Sequence, residues 1–319
     1  MKSVFIVTHQ QGFESDPVID SLRKNSIPVF RFNSDDKEIS SQISLTINKG
    51  GVDIFFVCDG RRIGLDEIGI GWCQQLPPYL NQASSVEENL QRENLWTAQM
   101  AAFELLEGKI PWLNSVQCVL GASNKPRQLW EARSVGLEIP DTLISNTPGD
   151  IRTFSSRLAM VAKNLSTPWV ILSNQEVDAA YTRIVPQEWL ESNDDLAFCP
   201  VIYQQYFERR RDYRVVVVGK EVFSVCCEPT EEQREDIRLA SRTGEGYYPC
   251  EFDKTTLDKL RLLMEKLSIQ YCGADFIEDK SGKLYFLEVN TCGAWWWADR
   301  LYGGAICQAI ANYLKDNLK

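Results

Sequence analysis

A chain of 319 residues with 44% hydrophobic and 24% charged residues is long enough for a sizeable core and more than one lobe. Its formal net charge of −10 and pI of about 4.9 argue against nucleic acid or an anionic membrane as a general partner. The opening MKSVFIVTHQQG has too short an apolar run for a signal peptide. No window approaches the roughly 18 apolar residues of a membrane span, so a cytoplasmic protein is expected.

Residues 1–115 read as a first α/β domain. VFIVTH is a strand. DPVIDSLRKNS is a helix with Asp16 as N-cap and Pro17 at its first position. PVFRFN, ISLTI and VDIFFV follow as strands. The stretch SSVEENLQRENLWTAQMAAFELLEGK repeats Leu90, Trp96, Met100 and Phe103 near helical spacing, and Gly108 fits the position just past its end. Residues 116–197 give a helix over PRQLWEARSVGLE closed by Gly136, then short strands in LAMVAKNLS, WVILS and YTRIV. Residues 198–319 give a hairpin over RRRDYRVVVVGKEVFSVCCEP, an amphipathic helix over 254–268, a second hairpin over CGADFIEDKSGKLYFLEVN and a closing helix.

Ten cysteines, at 58, 73, 118, 199, 226, 227, 250, 272, 292 and 307, include no C-x-x-C pair, and His9 is the one histidine. A zinc site is therefore not expected, and the cysteines read as reduced, mostly buried small hydrophobes.

The chemistry concentrates in GADFIEDKSGKLYFLEVN. With the turn at Asp279–Gly282 and Glu278 paired to Lys283, Asp275 falls opposite Phe286 and diagonal to Glu288. Side chains alternate along strands, so Asp275, Phe286, Glu288 and Asn290 share one face, while Leu287 and Val289 point the other way. Three hard oxygen ligands suit magnesium accompanied by phosphate oxygens. A solvent-facing polar hairpin is the alternative.

The order of motifs resembles the ATP-grasp enzymes along nearly the whole chain. The hairpin ending in LEVN resembles their metal-binding end, with Asp275, Glu288 and Asn290 as ligands. Asn124-Lys125 before a helix and GLEIPDTLISN resembles the first ATP lysine. Lys163 in MVAKNLS resembles the second, and YQQYFERRRDYRVVVVG resembles the hinge that lines the adenine pocket. The resemblance implies an ATP-grasp fold of mixed α/β class in three domains, 1–115, 116–197 and 198–319, with nucleotide between the last two. It implies that Lys125 and Lys163 hold phosphates. Gln204, Gln205, Tyr206 and Phe207 would line adenine, Asp212 would accept from ribose, and Arg214 would neutralise the γ-phosphate. Arg238 would be a second arginine at the transferred group, with Asp236 beside it. The run Arg209-Arg210-Arg211 reads as a solvated face. No general base is readable beyond a carboxylate near Asp236.

Within that superfamily the closest resemblance is to the graspetide (microviridin-type) peptide macrocyclases. It rests on VFIVTH…VIDSLRKNSIPVFRFNSD and on EVNTCGAWWWADRLYGGAICQAIANYL, where Gly293, Trp295, Trp297 and Asp299 match in place or kind. Thr291, Ala294, Gln205 and the segment Trp72-Cys73-Gln74-Gln75 depart from the pattern. The implied activity is ATP- and Mg²⁺-dependent formation of side-chain esters or amides in a ribosomally made precursor peptide. A leader-plus-core precursor would be the partner, and the enzyme a homodimer. The alternative is a ligase that adds an amino acid to a peptide or small-molecule carboxylate.

Overall fold

The computed structural model describes residues 1–35, 41–76, 85–165, 169–171, 177–237, 244–293 and 295–319. The first strand, β1 (Ser3–Thr8), is followed by α1 (Ser15–Lys24) and β2 (Val29–Asn33). An antiparallel meander of β3 (Ser41–Asn48), β4 (Gly51–Cys58) and β5 (Arg61–Gly64) leads to β6 (Ile68–Cys73) and the long α2 (Val86–Glu107). β1 lies between β2 and β6 with all three parallel. Val4 and Ile6 face α1, and Phe5 and Val7 face the other side, so β1 is buried on both faces as a near-continuous apolar run. Glu14, not Asp16, occupies the N-cap of α1, and Gly108 closes α2 in a right-handed conformation (φ −77°) rather than a left-handed one. Ser85 caps α2 by accepting from the Glu88 N–H.

The next elements are α3 (Val116–Ala122), α4 (Lys125–Ser134), β7 (Thr142–Ser145), α5 (Pro148–Ser155), β8 (Met160–Lys163), β9 (Trp169–Ile171), β10 (Val177–Ala179), β11 (Arg183–Ile184), α6 (Asn193–Ala197) and β12 (Val201–Gln205). Four of these strands form one small sheet in the order β11-β8-β12-β7, so Val201–Gln205 joins the sheet that carries Lys163. The large sheet is built from β13 (Arg209–Val218), β14 (Glu221–Cys227), β15 (Tyr248–Pro249), β16 (Tyr271–Asp279) and β17 (Leu284–Asn290). It runs β15-β14-β13-β16-β17, with α7 (Lys254–Leu267), α8 (Trp296–Leu301) and α9 (Ala305–Asp316) around it.

The ten-residue β13 organises this sheet by its period of two. Tyr213, Val215 and Val217 pack with Leu129 and Ala132 of α4 and Leu260, Leu263 and Leu267 of α7. Val216 and Val218 point the other way, into a core shared with Val4, Ile6, Trp72, Trp295 and α9 residues Ile306 and Ile310. A fully buried valine of this kind stabilises the fold by about 1.5–3 kcal/mol. Arg214 and Asp212 continue that second face outward, so one strand face passes from apolar core to charged site. Trp295 and Trp297 of the tryptophan run are buried in the same core. All ten cysteines are free thiols, and among the described residues no helix is long and apolar enough to cross a membrane.

Candidate active site

The hairpin β16–β17 departs from the simple register. Glu278 pairs with Leu284 and Phe276 with Phe286, but Asp275 pairs with Glu288 and Gly273 with Asn290. Leu287 is therefore an extra residue, a bulge. The irregularity reverses the expected alternation. Phe286 packs inward with Phe276 and Val289 instead of sharing the face of Glu288. Asp275 becomes the direct rather than the diagonal neighbour of Glu288. The three expected ligands do converge: Asn290 Nδ2 donates to Asp275 Oδ2 at 3.0 Å and to Glu288 Oε1 at 3.3 Å.

Two devices hold this hairpin in place. The Gln128 side chain of α4 accepts from Val289 N–H and donates to Val289 C=O, both at 2.9 Å. Asn114 accepts from the backbone N–H of Gln270 and Tyr271 and donates to Tyr271 C=O at 2.8 Å. The first strap fixes α4 against β17, and with it Lys125 at the first position of α4, where Asn124 caps the helix. Lys125 Nζ lies 3.5 Å from Glu288 Oε2 and donates to Asn164 C=O at 3.3 Å. Gly273 has a matching role: a Cβ there would lie 3.0 Å from an Arg214 guanidinium nitrogen, so the missing side chain lets the arginine lie along β16.

Arg214 is the register partner of Asp275 and grips it through two hydrogen bonds, at 2.6 and 3.2 Å. Its guanidinium also lies over Trp297, 5.8 Å from the ring. Burial pushes the Asp275 carboxyl up to about 6; Arg214 opposes this and the Glu288 charge adds to it. Burial pushes Glu288 upward too, but Lys125 and Lys163 outweigh it, and the net shift is downward. Lys163 has its ammonium pushed down by burial, against support from Glu288 and Asp236.

A second charged group lies beyond Lys163. Asp212 is buried, with Oδ1 accepting from Arg209 at 2.6 Å and Oδ2 without a hydrogen-bond partner among the described residues. Burial raises its carboxyl, with Arg209 opposing. Asp236 is also buried and accepts the Thr182 N–H at 2.9 Å. Arg209 is not part of a solvated run, as the triple-arginine reading had it. Its side chain is only 10% exposed and donates to Gln233 C=O as well as to Asp212, while Arg210 and Arg211 do face outward, onto Glu278 and Glu228. A register irregularity between Arg209 and Arg211 separates the inward arginine from the outward pair, and no composition signal marks it.

The four hinge residues divide. Gln204 is buried and donates to Thr142 Oγ1 at 3.0 Å, toward β7. The Gln205 and Tyr206 N–H groups donate to Asp141 and Ala159 carbonyls, both at 2.8 Å. Phe207 stacks on Tyr285, with ring centroids 4.1 Å apart and planes 25° apart. Arg238 lies outside the described residues.

Among the described residues no group of three His, Cys, Asp or Glu side chains could hold a metal. The set at hand is two carboxylates and an amide, and it fits a hard cation. In the absence of one, the carboxylates share the Asn290 amide as a donor and draw on Arg214 and Lys125 for charge. Two or three oxygen ligands suit magnesium, which keeps waters and phosphate oxygens for its remaining positions. The orphaned Asp212 oxygen is a hydrogen-bond acceptor awaiting a donor.

No family model matches the chain, and no curated protein does. Solved structures do, end to end. A RiPP-associated ATP-grasp ligase of Chryseobacterium gregarium, in complex with ADP and a leader and core peptide, superposes at a TM-score of 0.87 with 24% identity. The match covers 100% of this chain and 98% of that one. The macrocyclase MdnB of Microcystis aeruginosa MRC matches at 0.81 with 27% identity, over 98% of this chain and 99% of that one. The ATP-grasp ligase PsnB, complexed with a phosphomimetic precursor variant, Mg and ADP, matches at 0.76 with 19% identity, over 100% and 99%. The fold is therefore the ATP-grasp fold. Within it, the chain has the architecture of the ligases that act on ribosomally made peptides.

Proposed function

We propose that the chain is an ATP-dependent macrocyclase: it phosphorylates an Asp or Glu side chain of a precursor peptide and closes that side chain onto a Ser/Thr hydroxyl or a Lys amine of the same peptide. The observation that carries this is the opposition of Lys125, Lys163 and Arg214 to Asp275, Glu288 and Asn290, on a fold shared over full length with peptide macrocyclases. The three-part division at 115 and 197 belongs to this reading, with nucleotide between the second and third parts.

Magnesium, when bound, bridges nucleotide phosphates and lowers the charge on the transferred group. Asp275, Glu288 and Asn290 would hold it. Lys125, placed by the Gln128 strap, and Lys163, at the end of β8, supply fixed positive charge for phosphate oxygens. Asp212 accepts from the ribose through its unpartnered oxygen. Phe207, ordered by Tyr285, offers an aromatic surface to adenine, with Gln204, Gln205 and Tyr206 shaping the hinge. Arg214, fixed by Asp275 and Trp297, faces the phosphoryl group on the side where the peptide carboxylate attacks. Asp236 supports the charge of Lys163, and Arg238 completes the cationic set. A cytoplasmic homodimer bound to a leader-plus-core precursor is part of the same reading.

Incubation with ATP, Mg²⁺ and the precursor peptide encoded beside the gene tests it. The expected product has lost one water (about 18 Da) per ring, with one ADP formed per ring. A mass gain on addition of a free amino acid would instead place the chain among the amino-acid-adding ligases.

A further inference from the structure

Glu14 is a carboxylate that the ATP site does not use and that the fold does not satisfy. It follows β1, at the turn into α1, and is buried. Among the described residues its one hydrogen bond is a long one, from Gln74 Nε2 to Oε2 at 3.5 Å. Gln74 is itself held by Thr8 Oγ1, which donates to its Oε1 at 2.6 Å. A buried carboxylate with so little support costs stability, and such a cost points to a task. Two further polar atoms nearby in the fold are buried without partners: Nε2 of His9, just past β1, and Nε1 of Trp72, near the end of β6.

The position is informative. Thr8, His9, Glu14 and Gln74 all lie at the carboxyl ends of the parallel strands β1 and β6, or in the turns that follow them. In open parallel sheets that end is where ligands bind. The same end abuts the face of the large sheet that carries Arg214, and Glu14 and Arg214 interact electrostatically. Asp275 engages Arg214 along β16, whereas Glu14 approaches it from the N-terminal sheet. Thus one guanidinium has the metal carboxylate and this unassigned carboxylate as its two acidic neighbours. Asp212 and Asp236 serve the other flank, against Arg209 and Lys163.

From this placement, and resting on the macrocyclase reading, we infer that Glu14 is the general base for ring closure and that the pocket of His9, Trp72 and Gln74 receives the acceptor side chain of the peptide. The acceptor O–H (or ammonium N–H) proton passes to a Glu14 carboxylate oxygen. The acceptor oxygen or nitrogen forms the new bond to the carbonyl carbon of the acylphosphate. The bond from that carbon to the phosphate oxygen breaks, and phosphate leaves with the electron pair beside Arg214. Burial pushes the Glu14 carboxyl up to about 7, with Arg214 opposing, which places it where a base can both accept and release a proton near neutrality. The charged or titratable groups facing it are Arg214 from β13 and Tyr271 from β16, with His9 in its own loop and neutral Gln74 after β6.

The two half-reactions can be separated with hydroxylamine, which traps an acylphosphate without help from a base. With ATP, Mg²⁺ and the precursor peptide, Glu14→Gln is expected to form hydroxamate within about threefold of the parent rate while ring closure falls roughly 100-fold or more. Glu14→Asp should recover part of the closure. The parent closure rate should rise with pH through about 7, and that rise should be absent in Glu14→Gln. Ring closure by Glu14→Gln at the parent rate, or equal loss of hydroxamate and rings, overturns the assignment. A parent enzyme that makes neither hydroxamate nor ring overturns the macrocyclase reading itself.

Discussion

Asp275 lies directly across from Glu288, and it does so because Leu287 bulges out of β17. Without the bulge, Glu288 would take the parity of Phe286, which is fully buried among aromatic side chains. Deleting Leu287 is expected to turn Glu288 and Asn290 off the site face. Mg²⁺–ADP binding should be lost in a titration, as it should in Glu288→Gln. Retention of parent affinity by the deletion variant would show that the bulge does not place the ligands.

Lys163 is a buried cation whose ammonium is held down by desolvation. Replacing it with methionine removes a charge that costs the fold, so Lys163→Met should unfold within about 1 kcal/mol of the parent in urea. Phosphoryl transfer should fall about 100-fold or more, since a fixed positive charge at the phosphates is lost. Parent-like ADP release would remove Lys163 from the phosphate site.

Arg209 and Arg210 make a controlled comparison. Arg209 is the cation beside the buried Asp212, while Arg210 is 53% exposed on its ion pair with Glu278. Arg209→Met is expected to cost about 3–5 kcal/mol, because it leaves a buried carboxylate uncompensated. Arg210→Ala should cost under about 1 kcal/mol. The difference should narrow at acid pH, as Asp212 takes a proton. Equal costs in chemical denaturation would contradict the buried pairing.

The raised carboxyls give the ligand-free protein an unusual pH slope. Between the ordinary carboxylate range and about 6 for Asp275, or about 7 for Glu14, the folded form holds protons that the unfolded form has released. The native state then binds more protons, and stability falls as pH rises through that window. Thermal unfolding from pH 4 to 7 should therefore show a decline in this contribution, and Asp275→Asn should flatten it. Mg²⁺–ADP, which requires ionised Asp275, should bind more tightly as pH rises to about 6 and level off above it. A metal affinity independent of pH below 6 would contradict the assignment.

Much of this architecture is legible from residue spacing. The alternation in VFIVTH and RVVVV, the caps Ser85 and Asn124, and the turn ending at Gly282 (φ +87°) are local signals with local causes. The ligand trio was readable as a set because polar residues in an apolar hairpin demand partners. Its register was not, since a bulge leaves no residue signature of its own and the turn suggests a regular ladder. Arg209 was misread for the same reason, a register shift inside a run of three identical residues. Glu14 was invisible because its meaning depends on Arg214, 200 positions away, and only the packing of the N-terminal sheet on β13 brings the two together.

The most direct test of the central claim is the mass of the precursor peptide after incubation with ATP and Mg²⁺, for the parent chain and for Glu288→Gln side by side. The expected result is loss of one water per ring with the parent and an unchanged peptide with Glu288→Gln. An unchanged peptide with the folded parent, or equal dehydration by both, would contradict the assignment of this carboxylate-amide cluster as the metal–nucleotide centre of a peptide macrocyclase.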